Sequence, residues 1–314
     1  MLTKIAKTLK NQENVCIITH VNPDGDALGS SAALRFALKK LDINACVVLN
    51  DKILHMYEFT GWKTEILNDD HAFDCVIGVD FGELSRCGET ARLFENAKTK
   101  IIIDHHIGKE PICELFITQP EQAACAQIIF DLINLMGVEI DSDIATAIYL
   151  GIMTDTGGCR YGNTTARTHI ILSQLIDKVD SAHICRMVFD VTSPEKIQGQ
   201  TELMQTLEQF ENGRISVVSA QGDLAKNEEA LGNGANMALN LEGSVAGVLF
   251  KERGEAETKV SLRTLGEINA SKVCGFFGGG GHFNASGCTI NLPFDEAKTA
   301  FLEKLKEEVK RLGL

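Results

Sequence analysis

Two segments that combine acidic and histidine side chains, and one further aspartate, follow short apolar runs in this sequence. The triplet Asp104-His105-His106 comes directly after three isoleucines, and His20 and Asp80 each follow a similar, largely apolar run. Short β-branched runs bounded by polar residues are typical of buried strands. Because ligands bind at the carboxyl ends of the strands in an open parallel α/β sheet, these side chains are candidates for one shared site.

More residues of metal-ligand type lie close to His20. Asp24 and Asp26 follow it within six positions, and Pro23 and Gly25 between them favour a tight turn that lets the side chains converge. The alternative interpretation is a polar loop in which Asp26 caps the helix that follows.

A further carboxylate, Asp155, follows a predicted helix. The candidate ligands are then four carboxylates and two imidazoles: Asp24, Asp26, Asp80, Asp155, His20 and His105. Four carboxylates packed together would repel one another and take up protons, and two divalent cations carry about the compensating charge. Mixed carboxylate and imidazole ligands suit manganese and, less exclusively, iron, cobalt or zinc. Two such ions roughly 3.5–4 Å apart are a known device for phosphoryl transfer.

Composition limits the class of protein. The 314 residues exceed what one core usually holds, so two domains are expected. The formal charge of −13 argues against a partner such as long duplex nucleic acid, which requires a basic face. The ten cysteines form no Cys-x-x-Cys pair, and we find neither a secretory signal nor an apolar stretch of the ~20 residues that span a bilayer. We therefore expect a cytoplasmic protein with reduced thiols and no membrane partner.

The first half of the chain alternates strands and helices. This pattern predicts an α/β fold with a parallel sheet and right-handed crossovers. The predicted strands are residues 15–19, 45–49, 75–79, 100–103 and 112–118, and the predicted helices are residues 27–41, 121–136, 142–153 and 164–178.

The pattern changes after about residue 188. A helix is predicted over residues 194–210, followed by strands at 215–219, 246–250, 259–264 and 287–292 and a closing helix at 295–312. We therefore predict a catalytic domain at 1–188, a linker helix at 189–212 and a smaller α/β domain at 213–314.

The second half contains a run of glycines with polar neighbours. Gly278 to Gly281 are followed by His282, and Ser286 lies four residues further on. Consecutive glycines predict a loop whose backbone N–H groups can approach a phosphate or a base closely. Arg263 lies upstream, and its guanidinium is a natural fork for a phosphate. The alternatives are a flexible loop and a solvated strand arginine.

The four first-half motifs, in this order, resemble those of the DHH phosphoesterase superfamily. The resemblance implies a Rossmann-like catalytic domain with two metal ions. It implies that His20 and Asp24 hold one ion, that Asp26, His105 and Asp155 hold the other, and that Asp80 bridges them. It also implies catalytic roles for His106, which would face the substrate phosphate or leaving group, and for Asp104, which would orient the histidines.

The second half resembles the DHH-associated carboxyl-terminal domain through its glycine-rich motif and its arginine. This implies a substrate-binding set: Arg263, Gly279, Gly280, Gly281, His282 and Ser286. The resemblance covers nearly the whole chain and is greatest to bacterial nano-RNases that also dephosphorylate 3′-phosphoadenosine 5′-phosphate (pAp). It implies that substrate binds in a cleft between the domains. Cys159 departs from the aromatic residue that relatives often carry near this position.

The leading hypothesis is therefore a metal-dependent phosphoesterase. It would hydrolyse short oligoribonucleotides, as an exonuclease, and pAp, through a water activated by two Mn²⁺ ions. One alternative is a phosphodiesterase of cyclic or linear dinucleotides, and another is a non-catalytic nucleotide-binding protein. The resemblance is also compatible with a homodimer.

Overall fold

The computed structural model describes residues 1–50, 52–53, 55–66, 73–106 and 111–313. The chain divides into two compact units, Met1–Val191 and Thr192–Leu314, each with a sheet and a buried core of its own. The segmentation at 1–188, 189–212 and 213–314 stays a prediction. Within the described ranges, no helix combines the length and the apolar character that a bilayer crossing requires.

The first unit contains a parallel sheet. Its strands, β1 to β6, are Asn14–Ile18, Asn44–Leu49, Glu65–Ile66, Cys75–Val79, Thr99–Asp104 and Leu115–Thr118. They lie in the order β3-β2-β1-β4-β5-β6, and every neighbouring pair is parallel. The predicted parallel sheet is confirmed. The strand order reverses between β1 and β4, which is the switch point of a doubly wound fold.

Helices cover this sheet. Helices α1 to α7 are Leu2–Leu9, Gly25–Lys40, Ala91–Asn96, Cys125–Met136, Ser142–Asp155, Ala166–Leu175 and Ser181–Cys185. Successive strand residues point to opposite faces, so Ile17 and Ile18 of β1 enter two different buried clusters. Burial on both faces explains why these strands appear in the sequence as continuous apolar runs.

The second unit contains a mixed sheet. Strands β7 to β12 are Glu208–Phe210, Ile215–Ala220, Ala246–Gly254, Glu257–Thr264, Gly280–Gly281 and Ala285–Ile290. Their order is β11-β12-β10-β9-β8-β7, in which only the β8–β9 pair is parallel among the described strands. Helices α8 to α12 are Pro194–Gln205, Glu228–Leu231, Gly234–Leu239, Ala270–Gly275 and Phe294–Arg311. The predicted smaller α/β domain is confirmed.

Two local predictions for this unit are wrong. The helix predicted over 194–210 ends at Gln205, because Glu208–Phe210 pairs instead with β8 as an edge strand. The glycine run, predicted as a loop, contains strand β11, because Gly280 and Gly281 pair with β12. In both places a partner distant in sequence decides the backbone conformation.

Candidate active site

The candidate active site lies at the carboxyl ends of three neighbouring strands. His20 comes two residues after β1, Asp80 comes directly after β4, and Asp104 is the last residue of β5. Because β1, β4 and β5 are adjacent and parallel, these ends meet at one edge of the sheet, beside the switch point.

His20, Asp24 and Asp80 form one group of side chains that could hold a metal ion. His20 Nε2 lies 4.0 Å from Asp24 Oδ1 and 3.7 Å from Asp80 Oδ2. His20 Nδ1 lies 2.9 Å from the carbonyl oxygen of Val21, which can only accept a hydrogen bond. Nδ1 therefore carries a proton, and Nε2, which faces the carboxylates, is the ring nitrogen that a metal ion could bind.

Asp26, His105 and Asp155 form a second such group. His105 Nε2 lies 3.1 Å from Asp155 Oδ2 and 3.8 Å from Asp26 Oδ2. His105 Nδ1 lies 3.2 Å from the carbonyl oxygen of Gln122. This contact fixes the ring in the same way as in His20, so that Nε2 is again the nitrogen available to a metal ion.

Asp80 connects the two groups. Its Oδ1 lies 3.4 Å from His105 Nε2, while its Oδ2 faces His20. Asp80 is buried, and its Oδ1 accepts no hydrogen bond from any residue that the structure describes. Its φ of 66° is in the left-handed region, which costs a non-glycine residue on the order of 1 kcal/mol. A strained, buried carboxylate with an unsatisfied oxygen fits a metal ligand.

Helix starts hold two of the carboxylates. Asp24 caps α2 by accepting from the backbone N–H groups of Asp26 and Ala27. The alternative that Asp26 caps this helix is wrong. Asp26 lies inside the first turn of α2, and its carboxylate accepts from the N–H groups of Cys125 and Ala126 at the start of α4. These donors fix the Asp26 carboxylate, because the positive end of the α4 dipole attracts it.

Two glycines allow helices α2 and α5 to approach closely. A Cβ atom added at Gly25 would lie 2.3 Å from Thr154 Cγ2, and one added at Gly151 would lie 2.8 Å from Asp26 Oδ1. A larger residue at either position would push the helices apart. The two glycines therefore keep Asp26 and Asp155 in one site.

The negative charges of the site's carboxylates are only partly compensated by neighbouring positive charge. Burial raises the pKa values of Asp24 and Asp26, and the neighbouring carboxylates of Asp80 and Asp155 raise them further. Burial would also raise the pKa of Asp80, but the His105 and His20 imidazoles outweigh it and lower that pKa to about 2. Burial disfavours a charged His105, yet Asp155 and Asp80 raise its pKa to about 12. Protons on imidazoles thus offset part of the negative charge, and divalent cations would replace them.

His106 is placed differently from His105. Its Nδ1 lies 2.7 Å from Asp104 Oδ1, and Asp104 is buried. Asp80, His105 and His106 form a third group that could hold a metal ion, with His106 Nδ1 3.7 Å from Asp80 Oδ1. The Asp104 hydrogen bond already uses Nδ1, so His106 Nε2 remains for another ligand.

The predicted substrate residues of the second unit lie at one corner of its sheet. Arg263 on β10 is opposite Ala285 on β12, and Ser286 is opposite Gly281 on β11. The N–H of His282 donates to the carbonyl of Ala285 at 2.8 Å, which closes the turn between β11 and β12. Arg263 Nη1 donates to the carbonyl of Leu262 at 3.1 Å.

The glycines of this corner differ in what they do. A Cβ atom at Gly279 would lie 2.3 Å from the carbonyl oxygen of Gly287, and Gly281 has a φ of 147°. Packing and backbone conformation therefore require glycine at 279 and 281. Nothing lies within 4 Å of a Cβ atom added at Gly280, so this glycine leaves open space for a ligand.

Several residues that position the site were not found from the sequence. Asn163 Nδ2 donates to the carbonyls of Ala123 and Asp155, which holds the chain next to a candidate ligand. The carbonyl of Gln122 orients His105, and Arg86 Nη1 lies 3.5 Å from His106 Nε2. A backbone carbonyl carries no residue-type signal, and a single arginine in a polar segment has no distinctive spacing.

Comparisons with known proteins give similarity over both units. A family model described as "DHH family, N-terminal domain" matches residues 14–152, and one described as "DHHA1 domain" matches residues 214–311. The bifunctional oligoribonuclease and PAP phosphatase NrnA of Thermus thermophilus is 34% identical over 98% of this chain and 94% of its own length. NrnA of Bacillus subtilis is 26% identical over 98% of this chain and 99% of its own length.

A solved structure extends the similarity to the fold. The crystal structure of an exopolyphosphatase-related protein from Bacteroides fragilis has a TM-score of 0.90 and 27% identity, and covers 99% of this chain and 96% of its own. With its site and these similarities, the protein is a phosphoesterase, a hydrolase of phosphate esters. Within that class the chain belongs to the DHH family and carries a DHHA1 domain, which confirms the resemblance.

Proposed function

We propose that this chain hydrolyses short oligoribonucleotides, as an exonuclease, and pAp, with two divalent cations that are most simply Mn²⁺. The observation that carries the proposal is the position of Asp80, whose two oxygens face the imidazoles of two separate ligand groups. A carboxylate shared in this way suits the bridging ligand of a two-metal site.

The donor atoms fit these ions. Carboxylate oxygens and imidazole nitrogens suit Mn²⁺, and Asp80 Oδ1, which no described residue satisfies, offers the additional ligand. In the proposal His20 and Asp24 hold one ion, and Asp26, His105 and Asp155 hold the other. When bound, the ions supply an activated water and neutralise charge on the phosphate.

The protein itself contributes orientation and proton handling. Asp104 holds the Nδ1 proton of His106, so that His106 Nε2 can meet the substrate phosphate or the leaving oxygen. His20 and His105 are kept in their ligand orientation by the carbonyls of Val21 and Gln122. Because Asp104 contacts the ring nitrogen of His106 that faces away from the substrate, Asp104 affects the reaction only by orienting His106.

The substrate class rests on the named activities of the NrnA relatives and on the corner of the second unit. There Arg263 would bind a substrate phosphate through its planar fork, beside Gly279, Gly280, Gly281, His282 and Ser286. Only short substrates suit a chain with a formal charge of −13, because a long strand would need a basic track. The proposal includes a cytoplasmic location, and a homodimer stays an expectation.

Two alternatives are outcomes of the test. A phosphodiesterase of dinucleotides would prefer cyclic or linear dinucleotides to pAp, and a non-catalytic nucleotide-binding protein would bind nucleotides without releasing products. The test is a set of initial rates with and without added Mn²⁺. The substrates are pAp, RNAs of two to twenty-four nucleotides, cyclic dinucleotides and pyrophosphate.

We expect Mn²⁺-dependent release of phosphate from pAp and of mononucleotides from the shortest RNAs, with rates that fall as the RNA lengthens. Arg263→Ala should lower kcat/KM for these substrates by roughly tenfold or more and leave the metal content unchanged, because it removes one charge-assisted contact. Arg253→Ala, an exposed arginine on β9, is the control. Equal rates along the RNA series would contradict the substrate class, and no hydrolysis of any of these compounds would contradict the activity.

A further inference from the structure

A cationic side chain reaches His106 from the segment that follows β4. Arg86 Nη1 lies 3.5 Å from His106 Nε2. A guanidinium only donates hydrogen bonds, so Nε2 accepts in this contact and the ring proton lies on Nδ1, where Asp104 Oδ1 accepts it at 2.7 Å. Hydrogen bonds therefore connect the buried carboxylate of Asp104, through the His106 ring, to the exposed guanidinium of Arg86.

The segment that carries Arg86 is held in place by backbone contacts. Arg86 lies in the 3₁₀ helix Leu84–Thr90, and its carbonyl accepts from the N–H of Val21 at 2.8 Å. Val21 is the neighbour of His20, so this hydrogen bond connects the Arg86 segment to the loop of the first ligand group. Gly88 has a φ of 58°, and a Cβ atom added there would lie 2.8 Å from Val21 Cγ2.

Asn50, directly after β2, holds the same segment from the other side. Asn50 Nδ2 donates to the carbonyl of Cys87 at 2.7 Å, and Asn50 Oδ1 accepts from the N–H of Thr90 at 3.2 Å. The backbone at Arg86 and in the residues that follow it is thus fixed before any substrate arrives. Such preorganisation is what makes a hydrogen-bond donor effective in catalysis.

The contact with His106 leaves most of the guanidinium unengaged. A separation of 3.5 Å is at the long end of hydrogen bonding, so it adds little to the stability of the fold. Among the described residues, no carboxylate lies within ion-pair distance of Arg86. A guanidinium with available donors, carried by a fixed backbone segment beside His106, is arranged for an anion that none of the described residues supplies.

We propose that Arg86 binds a non-bridging oxygen of the scissile phosphate beside His106 and is a catalytic residue of this enzyme. The inference rests on the proposed function, because it requires a phosphate to bind at His106. Charge on the equatorial oxygens of a transferring phosphoryl group is stabilised by arginine, whose planar fork matches phosphate and whose charge persists at any working pH. Asp104 and Arg86 then contact opposite nitrogens of His106, and of these two residues Arg86 touches the substrate whereas Asp104 does not.

The test uses the Mn²⁺-loaded full chain and the variants Arg86→Gln and Arg86→Lys. Arg253→Gln, an exposed arginine of the second unit, is the matched control. The substrates are a diribonucleotide with a normal phosphodiester and its two phosphorothioate diastereomers, in which sulfur replaces one non-bridging oxygen. Bound manganese and thermal unfolding are measured for each variant.

We expect Arg86→Gln to lower kcat for the normal diester on the order of 10²-fold, with manganese content and unfolding temperature unchanged. Arg86→Lys should retain more activity than Arg86→Gln, and Arg253→Gln should match the parent. The loss in Arg86→Gln should be smaller for one phosphorothioate diastereomer, because sulfur already weakens the contact that the variant removes.

Three results would overturn the inference while the parent hydrolyses the diester. They are an Arg86→Gln variant within twofold of the parent, equal losses on all three substrates, and a loss accompanied by depleted manganese or a lowered unfolding temperature. A parent chain that cleaves none of the phosphate esters would instead overturn the proposed function, so the two failures are distinct.

Discussion

Acidic side chains of the two units have opposite surroundings. In the first unit, burial and neighbouring carboxylates raise the pKa values of Asp24 and Asp26. In the second unit, Glu308 accepts hydrogen bonds from Arg311 Nη2 at 2.7 Å and from Lys272 Nζ at 3.2 Å. Arg311 and then Lys272 lower the pKa of Glu308 to about 2, although burial opposes this.

The difference separates an acid whose charge is compensated within the fold from acids that are arranged as in a ligand site. The chain itself supplies the cations that Glu308 needs. In the first unit, the acids Asp24, Asp26 and Asp80 face each other and two imidazoles, so full ionisation of the carboxylates requires more positive charge than these described neighbours carry. Ionisable groups that have perturbed pKa values and lie close together without a compensating charge are typical of functional sites.

The largest effect is expected for the acid that both ligand groups share. Asp80→Ala should lower activity on the order of 10⁴-fold and remove bound manganese, because it deletes the proposed bridge. Asp80→Asn, which keeps the size of the side chain, should do the same. The measurements are initial rates on pAp and elemental analysis, with the exposed Asp143→Asn on α5 as the control. Retention of the full manganese content by both Asp80 variants would falsify the bridging role.

An intermediate effect should separate the adjacent histidines. His105→Ala should lower manganese content, because Nε2 of His105 faces Asp155 and Asp26. His106→Ala should keep the manganese and lower kcat by about 10²- to 10³-fold, since it removes a group that acts on the substrate. Elemental analysis measures the manganese content, and separate values of kcat and KM show which of the two each variant changes. Equal manganese losses in the two variants would make the division of roles wrong.

The smallest effect is expected at Glu308. Its pKa is lower in the folded chain than the ordinary 4.5, so the ion pairs add stability above about pH 4.5 and lose it as the pH falls toward 2. Glu308→Gln should therefore lower the free energy of unfolding by about 1 kcal/mol at pH 7, a value discounted because Lys272 and Arg311 are partly exposed.

Urea unfolding at a series of pH values checks this prediction. The difference between parent and Glu308→Gln should shrink steadily between pH 5 and pH 2. Glu307→Gln on the same helix breaks only an exposed pair with Lys304 and should change little at any pH. A difference for Glu308→Gln that is constant with pH would show that Glu308 is not held ionised by its partners.

The sequence predicted the sheet and the candidate ligands because both have local signals. Buried parallel strands give continuous apolar runs, and polar residues placed directly after them must lie at one edge of the sheet. The sequence could not show that Asp26 accepts from the start of α4, because Cys125 lies 99 residues away. Nor could it show that Gly279 is required by packing against β12 rather than by a ligand.

The metal ions are the center of this account, so their number per chain tests it most directly. The parent chain is dialysed against Mn²⁺ and then against metal-free buffer, and bound manganese is measured by elemental analysis beside Asp80→Asn. We expect two ions per parent chain, one for each ligand group that shares Asp80, and a clear loss in the variant. Fewer than one manganese ion per parent chain, or the same content in both proteins, would contradict the account.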